Sequence, residues 1–343
     1  MKKIVYLEKL RNAATFAVVL LHIAMTMNNN YTPTEIGLTN YIVFSNIWIV
    51  VKWAVPCFLM ISGALLLNKK DITVDKIVKY ILRMFFVLLS FGTVFAMMEI
   101  FFNKRTLTVK SVFLSIYYVL SGQSWDHLWY IYTLIALYII TIPLKVFIDN
   151  TEKKNIDIFV AVLVIGNFII PSINSIFGLN IKNIMIITEF PTYYILGYWL
   201  SNLKFENKMK NSAFAFGGGY LCSTILMMMI EISGLVLNGI SPDISVSTGN
   251  ILVLMQSVCV FLFFKTFFEN KKMNLIDNVI SMNSFAIYLV HPFYINLLYK
   301  LFKITPISTN ICVGITICFV FIFTISLLSS YILRVIPGIR DII

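Results

Sequence analysis

The chain has 343 residues, 59% hydrophobic and only 13% charged, with a formal net charge of +11 at pH 7 and a mean hydropathy of +0.86. Ordinary soluble domains carry about 25% charged residues, so the composition excludes a soluble globular protein and calls for one built in lipid. The positive balance does not mark a nucleic-acid binder, because most cations sit in short stretches between apolar runs, where they set topology.

The first apolar span, 10–28, carries Arg11 at its start and His22 deep inside. Eleven residues at about 100° each bring the two within about 20° of one helix face, about 16 Å apart along the axis. A cation at one membrane surface and an imidazole near the midplane, on one stripe, describe a site reached from that surface. The competing reading is a membrane-flank cation and a histidine packed at a helix contact. No small-residue cleavage site follows, and the span is long for a signal-peptide core, so it is expected to be retained.

The second span, 41–67, holds Lys52 within it. The third, 77–102, begins with Lys79 and, one turn deeper on the same face, Arg83; Glu99 lies near its other end. The stretch 111–121 is about half a span and reads as an interfacial or re-entrant helix, interrupted by Ser121-Gly122-Gln123-Ser124. His127, Trp129 and Tyr130 open the fourth span, 127–148. A short fifth, 156–172, precedes the sixth, 184–203, which has Glu189 just inside its end. The seventh, 211–234, contains Gly217-Gly218-Gly219, read as a close-packing segment, and Glu231, read as interfacial. The eighth is 248–268. In the ninth, 284–302, His291 precedes Pro292, where a kink with the histidine bonded to freed backbone competes with an active-site role. The tenth is 308–334. The five cysteines, Cys57, Cys222, Cys259, Cys312 and Cys318, all fall within spans without metal-type spacing and read as structural thiols.

Ten spans place both termini on one side. That side carries Lys2, Lys3, Lys9, Arg11, Lys69, Lys70, Lys76, Lys79, Arg83, Lys145, Lys153, Lys154, Lys204, Lys208, Lys210, Lys265, Lys271, Lys272, Arg334 and Arg340. The opposite side holds only Lys104, Arg105, Lys110, Lys182, Lys300 and Lys303. The positive-inside rule therefore makes both termini cytoplasmic. The expected fold class is all-α: a polytopic, multi-pass protein of the cell membrane with about ten transmembrane helices, one domain over 1–343.

Charges at membrane depth are expensive and usually face a cavity. Anionic phosphates presented from the cytoplasm would meet Arg11, Lys79 and Arg83, since guanidinium forks suit phosphate oxygens and lysine acts as a point charge. A neutral midplane histidine suits a general base for a hydroxyl nucleophile. A chamber on the outer side with Lys52, Glu99, His127, Trp129, Glu189 and His291, and the aromatics Trp125, Tyr130, Tyr132, Tyr193 and Tyr194, could hold a sugar. The aromatics could equally form interface belts. There is no phosphate-cradling glycine loop, nucleophile elbow or zinc spacing.

These residues resemble the membrane-bound acyltransferase 3 family. Arg11, ten residues, then His22 is similar to its first-helix signature. Pro56-Cys57-Phe58-Leu59-Met60-Ile61-Ser62-Gly63 resembles its Phe-rich second helix. His127-Leu128-Trp129-Tyr130-Ile131-Tyr132 with Tyr138 and Pro143 resembles its leucine-tryptophan-tyrosine helix. Gly197-Tyr198-Trp199-Leu200 matches a mid-chain glycine, and Ser284–Pro292 resembles the late tyrosine-leucine-x-histidine-proline segment. Many members carry two arginines, three apart, at the start of the third helix; here Lys76, Lys79 and Arg83 stand there, with Tyr80 in the first arginine's place.

The resemblance implies transfer of an acyl group, usually acetyl, from cytoplasmic acyl-CoA to a hydroxyl of an envelope glycan or glycolipid on the outer side. It would make Arg11 a donor contact and His22 the catalytic base or acyl carrier, with acetyl-CoA as co-substrate, membrane lipid around it and no metal. Relatives with an added extracytoplasmic or racemase domain imply that this chain acts alone or with a separate partner. Two other functions compete: a transporter or flippase for a small polar solute or lipid-linked glycan, and a sensory or partner-binding membrane protein. Transporters often show paired repeats with broken spans in matching positions; the histidine-proline span has no such partner here, and a sensor leaves the Arg11–His22 stripe unexplained.

Overall fold

The computed structural model describes residues 4–179, 188–204, 212–239, 241, 247–340 and 342. Lys2, Lys3, Lys182, Lys208 and Lys210, and the first residues of the expected span 184–203, lie outside the described residues. Among the described residues all regular structure is helical. The order is α1 (Val5–Asn30), the single turn α2 (Pro33–Ile36), α3 (Leu38–Val51), α4 (Ala54–Leu66), α5 (Val74–Lys104), α6 (Val109–Leu120), α7 (Trp129–Asp149), α8 (Lys153–Val164), α9 (Ile170–Phe177), α10 (Glu189–Asn202), α11 (Ser212–Asn238), α12 (Ile251–Phe268), α13 (Leu275–Asn296) and α14 (Ile311–Val335). Short polar side chains start several of these helices by accepting a backbone N–H that has no partner inside the helix. Thr73 takes Lys76 N, Asn250 takes Leu252 N, and Asn274 exchanges bonds with Asp277.

Eight helical segments are long and apolar enough to cross a membrane, counting α3–α4 and α8–α9 each as one. The expected fifth span is longer than its sequence suggested, Lys153–Phe177, because a π-turn at Ile165–Ile169 carries the helix up to Pro171. The sixth and ninth expected spans correspond to α10 and α13. The first has 14 described residues, fewer than the roughly 20 a crossing needs; the second interleaves Asp277, Ser281, Asn283, Ser284 and His291 with its apolar positions. The ten expected spans are thus eight clear ones and two helices that are shorter or more polar.

The second expected span is broken. α3 ends at Val51 and α4 begins at Ala54, with Lys52 and Trp53 in the turn between. Pro56 lies in the first turn of α4, where its missing N–H is not needed. Irregular backbone at membrane depth is tolerated where it borders a cavity, and Lys52 borders one. Across from it, Glu231 on α11 is buried rather than interfacial, accepts from Ser241 Oγ at 2.7 Å and attracts the Lys52 ammonium.

α1 is the hub. It packs against α3, α4, α12, α13 and α14, and Leu7, Leu10, Ala14, Val19, Ile23 and Met27 are sealed from solvent. The tightest crossing in the bundle is between α4 and α10. A Cβ at Gly63 would sit 1.7 Å from Tyr194 O, and one at Gly197 would sit 1.9 Å from Met60 O. Two glycines facing each other's backbone let these helices touch directly. The glycine run of α11 does not behave as its sequence suggests: nothing lies within 4 Å of a Cβ at Gly217 or Gly218, and only Gly219 abuts a neighbour, Cys259 Sγ.

α6 fulfils the half-span expectation with its polarity turned inward. Ser111, Ser115 and Val119 face α5, while Val109, Phe113, Tyr117 and Leu120 face outward. Ser115 Oγ is satisfied by Ser111 O at 2.8 Å, so the apolar side is left to lipid.

The two ends of the bundle differ in charge. At one, Lys9 Nζ meets Asp277 Oδ2 at 2.5 Å, Arg83 Nε donates to Ile342 O at 2.9 Å, and Arg334 donates to Met282 O. At the other, Lys300 Nζ pairs with Glu99 at 3.0 Å. The first end holds Lys9, Arg83 and Arg334, three of the cations that the sequence assigned to one side of the membrane.

Candidate active site

All three histidines of the chain meet in the bundle interior, although 269 positions separate the outer two. α1 brings His22, the turn before α7 brings His127, and α13 brings His291. The His22 and His291 ring centroids lie 4.9 Å apart, and His127 lies 6.2 Å from His291. His291 is fully enclosed. Its Nδ1 lies 3.0 Å from Ile287 O, one turn back, and its Nε2 lies 3.1 Å from His22 Nδ1. His22 Nδ1 also lies 2.8 Å from Val18 O.

One proton assignment satisfies these contacts. A carbonyl only accepts, so His291 carries its proton on Nδ1 and accepts at Nε2. His22 then carries its proton on Nδ1, shared between Val18 O and His291, and its lone pair is on Nε2. His291 thus sits beside Pro292 with its ring on the Ile287 carbonyl and in contact with the His22 imidazole.

Two cavities meet at this cluster. The first, about 480 Å³, runs from Arg11 and Arg83 past Tyr138 and Phe285 to His22 and His127, and on to Lys52 and Trp129. Its charged lining residues, among those described, are all cations: Arg11, Lys52 and Arg83. The second, about 490 Å³, is walled by the amides Asn29, Asn30, Asn103, Gln123 and Asn296 and bounded by Lys104 and the Glu99–Lys300 pair. His22, His127 and Met25 line both.

Arg11 is held in place. Its Nη1 donates to both oxygens of Glu8, at 2.9 and 2.7 Å, and Glu8 in turn accepts from Ser281 Oγ on α13. A guanidinium has five N–H donors, so Nη2 and Nε stay available to an anion. Sequence reasoning passed over Glu8, although its three-residue spacing from Arg11 on one helix is the readable signal. It also missed the five amides, which lie on four different segments.

Other sequence-named residues are placed apart. Lys79 is exposed and borders neither cavity; its neighbour Tyr80 instead takes a hydrogen bond from Lys69 Nζ at 3.3 Å. Glu189, in the first turn of α10, accepts from Thr248 Oγ1 at 3.2 Å and lines neither cavity, though Thr248 lines the first. Trp129 lines the first cavity and leans on Phe190 at 5.0 Å. Lys52 lies over the Trp48 ring at 4.5 Å. Tyr193 and Tyr194, expected in an outer chamber, are fully buried: their hydroxyls meet Thr248 O at 2.9 Å and Thr141 Oγ1 at 2.8 Å. Trp125 lines the second cavity, stacked on Phe95 at 4.6 Å.

A family model described as an acyltransferase domain, acyltransferase 3, matches residues 4–335. The chain belongs to the acyltransferase 3 family. As an acyltransferase 3 protein it is a multi-pass membrane acyltransferase, with an acyl donor and an acceptor as substrates and membrane lipid around it. The transporter and sensor readings give way to this one. No curated protein and no solved structure matches the chain. The match spans every helix that carries the histidine cluster and both cavities.

Proposed function

We propose that this acyltransferase 3 protein is a single membrane domain that moves an acetyl group from acetyl-CoA, bound at the Arg11–Arg83 end, to a hydroxyl of an envelope carbohydrate in the amide-lined cavity. Both termini are on the cytoplasmic side, and His22 is the catalytic residue. The observation that carries this reading is that His22, with His127 beside it, borders two cavities of different lining, one with Arg11, Lys52 and Arg83 as its charges and one walled largely by amides.

The donor side follows from charge. A CoA carries phosphates at one end and a thioester at the other. Arg11 and Arg83 suit the phosphates, and about 16 Å of helix separates Arg11 from His22, a span the CoA arm can cover. The acceptor side follows from hydrogen bonding: carbohydrate hydroxyls donate and accept, as do Asn and Gln side chains.

His22 serves in one of two ways. As a base, its Nε2 lone pair takes the acceptor proton while the acceptor oxygen attacks the thioester carbon and the C–S pair leaves on sulfur. As a carrier, the same lone pair attacks the thioester carbon and the C–S pair leaves on sulfur; the acceptor oxygen then attacks the acyl carbon, the C–N pair returns to Nε2, and the hydroxyl proton is lost to a base or solvent while the thiolate takes one up. In both cases the contact with His291 holds the ring with Nε2 as the reacting atom.

The test is His22→Ala in cells that lack the native gene, scored by alkali-released acetate from envelope polysaccharide, with acetyl-CoA affinity measured on purified protein. The expected result is loss of ester-bound acetate with affinity retained. Full acylation in His22→Ala overturns the assignment. Arg11→Ala is expected to lose donor affinity with the fold intact, and unchanged affinity removes its role.

A further inference from the structure

We propose that His127 is a second catalytic residue, which receives the proton of the acceptor hydroxyl at its Nε2. This rests on the carrier form of the acyltransferase reading above and divides its labour: His22 holds the acyl group and His127 faces the nucleophile.

Three observations converge. His127 is 5% exposed, yet its Nε2 has no hydrogen-bond partner. A buried polar nitrogen left unsatisfied is costly and calls for a partner that arrives with a ligand. Second, the ring is fixed. Tyr288 Oη donates to the His127 backbone carbonyl, and Phe95, Tyr288 and Trp125 surround the ring at 5.5, 5.9 and 6.1 Å. Third, it lines both cavities, in company with His22.

The chemistry of the missing partner follows from the proton inventory. With the ring proton on Nδ1, the orphaned Nε2 is the atom that only accepts. An acyl carbonyl or a thioester sulfur has no proton to give. A hydroxyl has one, and hydroxyl-bearing ligands suit the amides of the second cavity. The class is therefore a neutral polyhydroxylated acceptor whose reacting O–H points at His127 Nε2.

The step balances. The O–H bond breaks with its proton going to Nε2, and the oxygen pair forms the new C–O bond at the acyl carbon. The bond from that carbon to His22 Nε2 breaks with its pair on nitrogen, the C–S pair having left on sulfur when His22 took up the acyl group. His127 then releases its proton to solvent, and a thiolate leaving group takes one up, so no net charge is created. Positioned proton transfer of this kind contributes about 10²–10⁴-fold to rate.

The experiment uses the full chain. Membranes from cells expressing each variant receive radiolabelled acetyl-CoA, and incorporation into alkali-labile envelope glycan is counted. Acetyl-CoA affinity is measured on purified protein in lipid nanodiscs. His127→Gln is expected to bind acetyl-CoA as the unaltered protein does and to lose about 100-fold or more of incorporation. Imidazole added to His127→Ala membranes is expected to restore part of the loss. Incorporation by His127→Gln above a tenth of the unaltered level overturns the proposal. So does loss of acetyl-CoA binding in a folded His127→Gln, which moves the residue to the donor side, and so does absence of imidazole rescue in a folded His127→Ala. If His127→Ala does not fold, His127→Gln decides alone. If the unaltered protein neither binds acetyl-CoA nor incorporates label, the acetyl-CoA reading itself fails and this one falls with it.

Discussion

Replacing Gly63 by alanine tests the α4–α10 crossing directly. The added Cβ would lie 1.7 Å from Tyr194 O, whereas a close carbon–oxygen contact needs about 3.3 Å. The obstacle is a backbone carbonyl and cannot rotate aside, so the helices must part by about 1.5 Å. Overpacking against side chains costs about 1–3 kcal/mol; against backbone the upper value applies, offset by about 1 kcal/mol of alanine helix propensity. The net loss of about 2 kcal/mol corresponds to a Tm lower by about 3 °C for a chain of this length, read by thermal unfolding of the detergent-purified protein. Gly197→Ala, whose Cβ would meet Met60 O at 1.9 Å, strains the same crossing, so the double variant should lose less than the two single losses combined. Gly217→Ala, in open space, should be neutral or slightly stabilising. A Gly63→Ala protein as stable as the Gly217→Ala control would refute the reasoning.

Lys265→Met should lower Tm without changing acetyl-CoA affinity. The Lys265 ammonium donates to Leu200 O, Ser201 O and Leu203 O at 2.9, 2.8 and 2.6 Å, and the loss of those bonds at the C-terminus of α10 costs about 2–3 kcal/mol. His291→Leu should reduce acyl transfer by about fivefold, since one hydrogen bond of about 1 kcal/mol orients the His22 ring. His291→Gln, whose carbonyl oxygen can accept from His22 Nδ1, should recover part of that, and equal activity of the two variants would dismiss the orienting role. Lys300→Ala should leave Tm unchanged, because a half-exposed ion pair contributes at most about 1 kcal/mol. It should lower transfer to glycan and spare acetyl-CoA binding; the opposite pattern would put the second cavity on the donor side.

What the sequence made legible is local. The Arg11–His22 stripe depends only on helical geometry, and α1 forms over both residues. The half-length of α6 and the gathering of cations at one end were readable for the same reason, as composition over short windows. The histidine cluster was not, because residues 22, 127 and 291 meet only through the packing of α13 on α1 and of the turn before α7 on α13. His127 could be read as a headgroup-level residue because its burial is created by Phe95, Trp125 and Tyr288 from other segments. Gly63 and Gly197 were noticed as parts of separate motifs; that each needs the other became visible only at the crossing. Tyr193 and Tyr194 looked like chamber aromatics because an apolar helix does not announce which face meets a cavity.

The placement of Gly63 and Gly197 also bears on how the second helix pair can move. With Tyr194 O seated over Gly63 and Met60 O over Gly197, α4 and α10 interlock at two points a helical turn apart, and two points fix an axis. Sliding along that axis would drive a carbonyl into the side chain on either side, so the pair has to travel as one strut. Phe58, Ile61 and Ser62, which stand on that strut and line the cation-bordered cavity, keep their spacing whatever the rest of the bundle does. Any widening of that cavity to admit a bulky donor must then come from the opposite wall, where α5 and α13 carry Arg83 and Phe285.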